Sequence, residues 1–343
     1  MSRGFGIIGT GVIAAIHADA LALLPDARLV AVTDIAGATA GSFAAARGCV
    51  AEPDLDTLLA RPDVEVVSVC VPSGLHAEVG VRAAKAGKHL VVEKPVDVTL
   101  EAADRLIEAA RSAGVALTVI SQHRFDAGLI EATRLLDEGA LGRLVLGEAS
   151  TKWYRGQGYY DSAPWRGTYA MDGGSLMNQG VHYVDLLRWC MGPVAEVTAV
   201  CSTQTHQIEV EDTSLAIIRF ASGAVGTILS TTAVFPGFPQ RLEITGTEGT
   251  VTIEDGRMAG CALRGATPPG ASGTSGASGA AASDPAAVGV ASHAAQIADL
   301  LAAVEEGREP AVGGADGRAA LEIVLAVYES ARSGRPVPIG ARQ

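Results

Sequence analysis

The chain has 343 residues, of which 48% are apolar and 19% charged, enough to build the cores of two domains and too hydrophobic for wholesale disorder. Its formal charge of −12 and lack of any basic run make it a poor partner for nucleic acid or an anionic membrane. Five cysteines (Cys49, Cys70, Cys190, Cys201 and Cys261) stand without CxxC or paired spacing, which argues against a disulfide framework and a thiolate zinc site, and no metal is expected. No apolar run approaches the roughly 20 residues needed to span a bilayer. The folded pattern begins almost at Met1, with no cleavable leader expected. The expectation is a soluble cytoplasmic protein.

The first third alternates apolar runs with helical stretches. Phe5 to Ile8 precedes the amphipathic segment Ile13 to Leu24, then come the strand Arg28 to Thr33 and a helical segment near Gly37 to Arg47. Val64 to Val71 is apolar at most positions, Leu75 to Ala86 reads as helix, and His89 to Val92 as strand. A helix over Leu100 to Ala113 and a strand over Val115 to Ile120 close the pattern, which stops near Gln122. Strands with little polar alternation suit a parallel sheet covered on both faces, and strand–helix alternation at this pitch predicts a doubly wound α/β domain over residues 1–121.

From about Leu144 the texture changes. Val194 to Cys201, Ser214 to Phe220, Ala224 to Thr231, Arg241 to Thr245 and Thr250 to Ile253 read as strands joined by turns such as Ser222-Gly223 and Thr247-Glu248-Gly249, so a mostly antiparallel sheet is expected. One long helix, about Leu176 to Met191, interrupts them. Gly265 to Ser283 is confined to Gly, Ala, Ser, Thr and Pro and reads as a flexible excursion. Ala294 to Glu305 and Gly317 to Ser330 read as closing helices. Residues 122–343 are assigned to a second, α+β domain.

Gly9-Thr10-Gly11-Val12-Ile13-Ala14 fits G-x-G-x-x-A between a predicted strand and helix. Gly9 and Gly11 permit a tight turn and close approach of backbone to a pyrophosphate, Ala14 lets helix and strand pack closely, and the helix N-terminus offers unpaired N–H groups. Asp34 ends the second strand where a carboxylate would bind a ribose 2′-hydroxyl. Ile35, Ala36 and Gly37 supply no cation for a 2′-phosphate, so NAD is preferred over NADP. Strand ends carry further candidates, because ligands of open α/β sheets sit outside the carboxyl ends of strands. Val66 to Val71 runs into Pro72-Ser73-Gly74-Leu75-His76, and His89 to Val92 into Glu93-Lys94-Pro95. Lys94 at such a place would donate a hydrogen bond to a substrate oxygen and stabilise negative charge there. His76 reads as structural or cofactor-lining.

On the long helix, 3.6-residue periodicity puts Leu176, Gly180, Tyr183, Val184 and Leu187 on one face, and Asn178, His182 and Asp185 together on the other with Trp189 below. His182 is the natural group for moving a proton near pH 7. Just upstream, Trp153, Tyr154, Tyr159, Tyr160, Trp165 and Tyr169 concentrate aromatic rings beside Arg155 and Arg166. Such a segment stacks on sugar rings and pins an anionic group, or forms an oligomer interface. Arg124, Arg155 and Arg166 supply positive potential for an anionic substrate. His293 opens the first closing helix, facing either the cleft or a neighbouring subunit.

Together the G-x-G-x-x-A turn, Glu93-Lys94-Pro95, Trp165-Arg166-Gly167 and the run Gly173 to His182 with Asp185 resemble the Gfo/Idh/MocA family of nicotinamide-dependent oxidoreductases over nearly the whole chain. The resemblance implies a Rossmann domain followed by an α+β domain whose open sheet carries homodimer or homotetramer contacts. It implies Lys94 and His182 as the catalytic pair. Gly9, Gly11, Val12, Ile13, Ala14 and Asp34 fall in the dinucleotide-binding positions, with Pro72, Ser73, His76 and Glu93 on the cofactor side. Gln122, Trp165 and Arg166 match residues lining the cofactor and substrate cleft, and Arg124, Tyr154 and Asn178 join Lys94, Trp165 and His182 as substrate contacts. Many members carry Asp where this chain has Asn178, which takes up no proton. Asn-Gln-Gly before the histidine also occurs in members resembling UDP-N-acetylglucosamine-uronate 3-dehydrogenases. The expected reaction is hydride exchange between NAD and a secondary alcohol of a sugar, cyclitol or sugar derivative. The alternatives are a hydrolase or lyase that oxidises its sugar only transiently, and a non-catalytic dinucleotide sensor.

Overall fold

The computed structural model describes residues 2–265 and 289–340, so the expected Gly265–Ser283 excursion, beyond Gly265 itself, lies outside the described residues. The chain divides into two compact units, one of residues 1–122 with 288–318 and the other of residues 123–287 with 319–343.

In the first unit six strands, β1 (Arg3–Ile8), β2 (Ala27–Thr33), β3 (Val50–Ala51), β4 (Val66–Val69), β5 (His89–Val92) and β6 (Leu117–Val119), form a parallel sheet in the order β3-β2-β1-β4-β5-β6. Between them run α1 (Val12–Ala22), α2 (Gly37–Arg47), α3 (Leu55–Ala60), α4 (His76–Lys85) and α5 (Leu100–Ala113). The order reverses at β1, and ligands of such sheets collect at the carboxyl ends beside that switch. Local chemistry sets the element ends. Thr99 caps α5 by accepting from Ala102 N, and Gly114 closes it in the left-handed conformation. The short β3 and α3, the latter capped by Asp54 on Thr57 N, escaped the sequence reading.

The second domain was expected to run unbroken over 122–343. Instead the helix α9 (Val290–Glu306) belongs to the first unit, where Ala294, Ile297 and Leu300 join the core of Phe5, Ile7, Ala14, Leu21 and Val91. Burying its apolar stripe against α1 decides its allegiance, which sequence position does not reveal.

In the second unit β7 (Leu144–Lys152), β8 (Val194–Ser202), β9 (Thr213–Phe220), β10 (Val225–Thr231), β11 (Arg241–Gly246), β12 (Gly249–Glu254), β13 (Arg257–Leu263) and β14 (Val337–Pro338) form a sheet in the order β13-β12-β11-β7-β10-β9-β8-β14. All pairs are antiparallel except β7 with β10. α6 (Ala127–Asp137), α7 (Gln157–Asp161), α8 (Val181–Met191) and most of α10 (Gly314–Ser333) accompany it. α8 lies against β7 at Gly147, where a Cβ would meet Met191 and Leu187 at 2.7 and 2.8 Å. β9 alternates strictly, with Ser214, Ala216, Ile218 and Phe220 inward and Leu215, Ile217 and Arg219 outward.

Candidate active site

The expected phosphate-binding turn is built as its residues require. Gly9 adopts φ +87°, and a side chain there would start 2.6 Å from the Cys70 carbonyl oxygen. Nothing lies within 4 Å of where a Gly11 side chain would start, and no side chain caps the first N–H groups of α1. Those amides and the positive end of the helix suit a pyrophosphate. The Asp34 carboxylate accepts hydrogen bonds from Thr10 N at 2.7 Å, Thr10 Oγ1 at 2.9 Å and Ala36 N at 2.9 Å, fixing the turn to the end of β2. Ile35 and Val12 are apolar and exposed on either side. Gln122, just past β6, is buried with an Oε1 that has no hydrogen-bond partner among the described residues, an orphaned acceptor of the kind a bound polar group satisfies. The residues of this unit therefore fit a dinucleotide.

Lys94 sits past the carboxyl end of β5, half-buried, with a cis peptide to Pro95. Glu93 beside it is buried, one oxygen 2.8 Å from His17 Nε2 and the other accepting from Lys94 N at 3.1 Å. Burial raises the Glu93 carboxyl, but the His17 hydrogen bond and the neighbouring positive charges outweigh it and hold the group below the usual carboxylate range. His76 lies deep in the unit with Nδ1 2.6 Å from the Pro95 oxygen and Nε2 2.9 Å from that of Val71. Its ring therefore braces the two strand-end turns, Pro72-Ser73 and Glu93-Lys94-Pro95.

In the second unit the helix of the polar stripe is not one α-helix. Leu176–Gly180 forms a π turn that leads into α8 at Val181. Gly180 presses on β10, where a Cβ would meet Ser230 Oγ at 2.7 Å, and Ser175 Oγ lies 2.7 Å from the same hydroxyl. The wider turn alters the spacing on which the 3.6-residue reading of the stripe relied. His182 is nearly buried, its ring edge-on to His123 at 5.2 Å between centroids, and His123 Nδ1 lies 2.7 Å from Asp126 Oδ2. The two other stripe residues are engaged elsewhere. Asp185 receives two hydrogen bonds from the buried Arg124 guanidinium, one at 2.7 Å from Nε, with Trp189 stacked 5.1 Å away. A guanidinium paired in this way with a buried carboxylate presents reduced net charge to a ligand. Asn178 donates to Asp172, whose other oxygen accepts from Gly167 N at 2.8 Å. Asp172 thus ties the Trp165-Arg166-Gly167 turn to the π turn, a role that sequence alone did not single out.

The aromatic segment folds into a stack. The Arg166 guanidinium lies 4.2 Å from the Tyr159 ring and 4.6 Å from that of Trp165, and Arg155 lies 4.9 Å from Trp153 and 5.6 Å from Tyr159. Gln179 reaches the Tyr159 hydroxyl at 3.4 Å, so the stack abuts the π turn. Tyr154 packs edge-on against Phe235.

Behind the π turn lies a second residue that sequence alone did not single out. Glu211 Oε1 accepts from Leu176 N at 2.8 Å, from Tyr328 Oη at 3.2 Å and from Ser214 Oγ at 3.2 Å, while Oε2 is buried without a hydrogen-bond partner among the described residues. Burial pushes its carboxyl up to about 7. A carboxyl raised in the folded state favours folding below its unfolded pKa, and that contribution is lost as pH rises through the folded value. Over the window from about 4.5 to 7 the loss is about 3 kcal/mol. Glu211→Gln should therefore gain stability relative to the parent as pH rises across that window, measured by urea unfolding at several pH values; a difference independent of pH would contradict the assignment.

A Rossmann sheet with an uncapped phosphate turn suits an NAD-binding oxidoreductase, and in the second unit the helix α8, packed on the mixed sheet, carries a nearly buried histidine. Residues 3–121 match the oxidoreductase family with an NAD-binding Rossmann fold, and residues 129–252 match the GFO/IDH/MocA C-terminal domain; the chain belongs to the Gfo/Idh/MocA family. It is 29% identical to inositol 2-dehydrogenase of Rhizobium meliloti over 99% of this chain and 100% of that one. Among solved structures it resembles the WlbA dehydrogenase of Bordetella pertussis, in complex with NADH and UDP-GlcNAcA, at 31% identity and TM-score 0.89 over 100% of both chains. A levoglucosan dehydrogenase in complex with NADH and L-sorbose aligns at 25% identity and TM-score 0.88 over 99% of both.

Proposed function

We propose that this chain is an NAD-dependent dehydrogenase of a secondary alcohol on a sugar, cyclitol or sugar derivative, with Lys94 and His182 as its catalytic pair. The observation that carries the reading is the partnering within the polar stripe. Asp185 is paired with Arg124 and Asn178 donates to Asp172, and of the three stripe side chains the imidazole of His182 is the one whose chemistry suits moving a proton near neutral pH. NAD is held by the Gly9–Ala14 turn and Asp34, with Glu93 and Gln122 on the same side; when bound it supplies the acceptor for the substrate's hydride. His182 takes the hydroxyl proton. Lys94 donates a hydrogen bond to the same oxygen and stabilises the charge that develops there. Trp165, Tyr154 and Arg166 offer flat apolar faces and a cation to a sugar ring and its substituents, and Asn178 orients a hydroxyl while tethered to Asp172.

The relatives act on or bind an inositol, an anhydrosugar and a nucleotide-linked sugar acid, which fixes the panel to be tried. Purified protein with NAD, offered inositols, levoglucosan, free sugars, uronic acids and UDP-sugars, should reduce NAD with one of these classes. No reduction with any, by protein shown to bind NADH, would overturn the reading. Substrate consumption without accumulation of NADH would mark the transient-oxidation alternative instead. The outward face of the second sheet, with Val200, Leu215, Ile217 and Val225 exposed, supports assembly into a homodimer or homotetramer through that sheet.

A further inference from the structure

The first unit holds a cluster that the proposed chemistry does not use. His17 on α1, Glu93 after β5 and His293 on α9 are all buried, and one donor atom from each lies within 4.8 Å of the others. His17 Nε2 and Glu93 Oε1 are 2.8 Å apart, and the two imidazoles meet edge-on at 5.7 Å between centroids. A carboxylate buried in a Rossmann core is costly unless donors surround it. Here His17 lies in hydrogen-bond contact with one carboxylate oxygen, His293 from the far end of the chain lies close by, and the second carboxylate oxygen accepts from the main-chain N–H of Lys94 at 3.1 Å.

We propose that His17 and His293 are positioning residues, which clamp the Glu93 carboxylate so that its other oxygen fixes the backbone of Lys94 and thereby sets the place of the lysine ammonium. The inference rests on the reading of Lys94 as catalytic for its functional meaning, though not for its geometry. His17 Nδ1 is buried with no hydrogen-bond partner among the described residues, which assigns the proton to Nε2, since a lone pair left alone costs less than an unpaired N–H. That tautomer makes His17 the donor and Glu93 the acceptor. His293 in turn has Nδ1 3.2 Å from the Gly289 oxygen at the start of its helix, which orients its ring.

Two imidazoles and a carboxylate are also a familiar donor set for a metal ion. The distances favour the hydrogen-bonded clamp. Nitrogen and oxygen ligands at about 2.0–2.2 Å from a tetrahedral ion stand roughly 3.3 Å apart, whereas His17 Nε2 and Glu93 Oε1 are in direct hydrogen-bond contact. Both carboxylate oxygens are moreover already accepting.

The test reads Lys94 without needing a substrate. The full chain is trace-labelled with acetic anhydride across a pH series, and the labelling of each lysine is followed by mass spectrometry in the parent, His17→Leu, His17→Gln and His293→Leu. In the leucine variants the carboxylate loses a donor and draws the Lys94 ammonium onto itself, so Lys94 labels severalfold more slowly while Lys85 and Lys152 are unchanged. His17→Gln, whose amide N–H replaces the imidazole donor, restores the parent rate. Should His17→Leu fail to fold, His293→Leu decides alone. Parent-like labelling of Lys94 in the folded leucine variants overturns the proposal, as does one equivalent of tightly bound metal in the parent that is lost in His17→Leu. Separately, Lys94→Ala with full turnover on the substrate found would overturn the catalytic reading while leaving the clamp standing.

Discussion

His182→Ala should lower turnover by about 10²–10⁴-fold, the span a positioned proton acceptor contributes, and Lys94→Ala by about 10²–10³-fold, the span of a lost donor to a developing oxyanion. NADH affinity, measured by fluorescence titration, should stay close to the parent value in His182→Ala, because the phosphate turn Gly9–Ala14 and Asp34 belong to the first unit. The two variants should also differ in kind. An imidazole that removes the hydroxyl proton gives the pH–rate profile its acidic limb, so His182→Ala should flatten that limb and regain part of its rate at high pH, where hydroxide competes as base. The lysine variant keeps the limb and loses rate at every pH. His182 stacks edge-on with His123 and is nearly buried, so a fold control is required; His182→Gln, closer in volume, should show the same flattened profile with less loss of stability. Parent-like turnover in both folded variants would overturn the catalytic pair.

How far the sequence foretold this arrangement depends on whether the cause was local. The strands of the first unit other than the two-residue β3 were legible because each is mostly apolar, and α5 was found to the residue because its cap and its terminating glycine lie in the chain beside it. α6 was passed over although Leu129, Ala132 and Leu135 recur at helical spacing, and Gly128 at its start is dictated by the backbone of Gly256 to Met258, a partner far along the chain. β13, Arg257–Leu263, carries Gly260 and two alanines where β-branched residues would advertise a strand. Lys94 and His182 were recognisable from motifs, but their surroundings were not. The π turn answers to Ser230 and Glu211, Asn178 answers to Asp172, and Glu93 answers to His17 and His293, all contacts made by folding rather than by spacing.

The Arg124–Asp185 pair offers the largest expected effect on stability. Both side chains are buried, and the guanidinium meets the carboxylate through two parallel N–H donors. Removing either partner strands a charge in the core, so Arg124→Met or Asp185→Leu alone should cost about 3–5 kcal/mol in urea unfolding. The double variant removes both charges together and should recover most of that loss, giving a large coupling energy in the cycle. Activity then separates two roles for Arg124. If the pair only anchors the short turn Gln122–Phe125 against α8, the double variant turns over with parent-like KM, because the backbone that carries His182 is again well packed. If Arg124 contacts an anionic substrate, as its positive charge suggested from sequence, stability returns in the double variant while KM for the substrate stays raised. The bidentate geometry favours the first result, since the Nε and Nη2 donors that would grip a carboxylate on a sugar are already on Asp185.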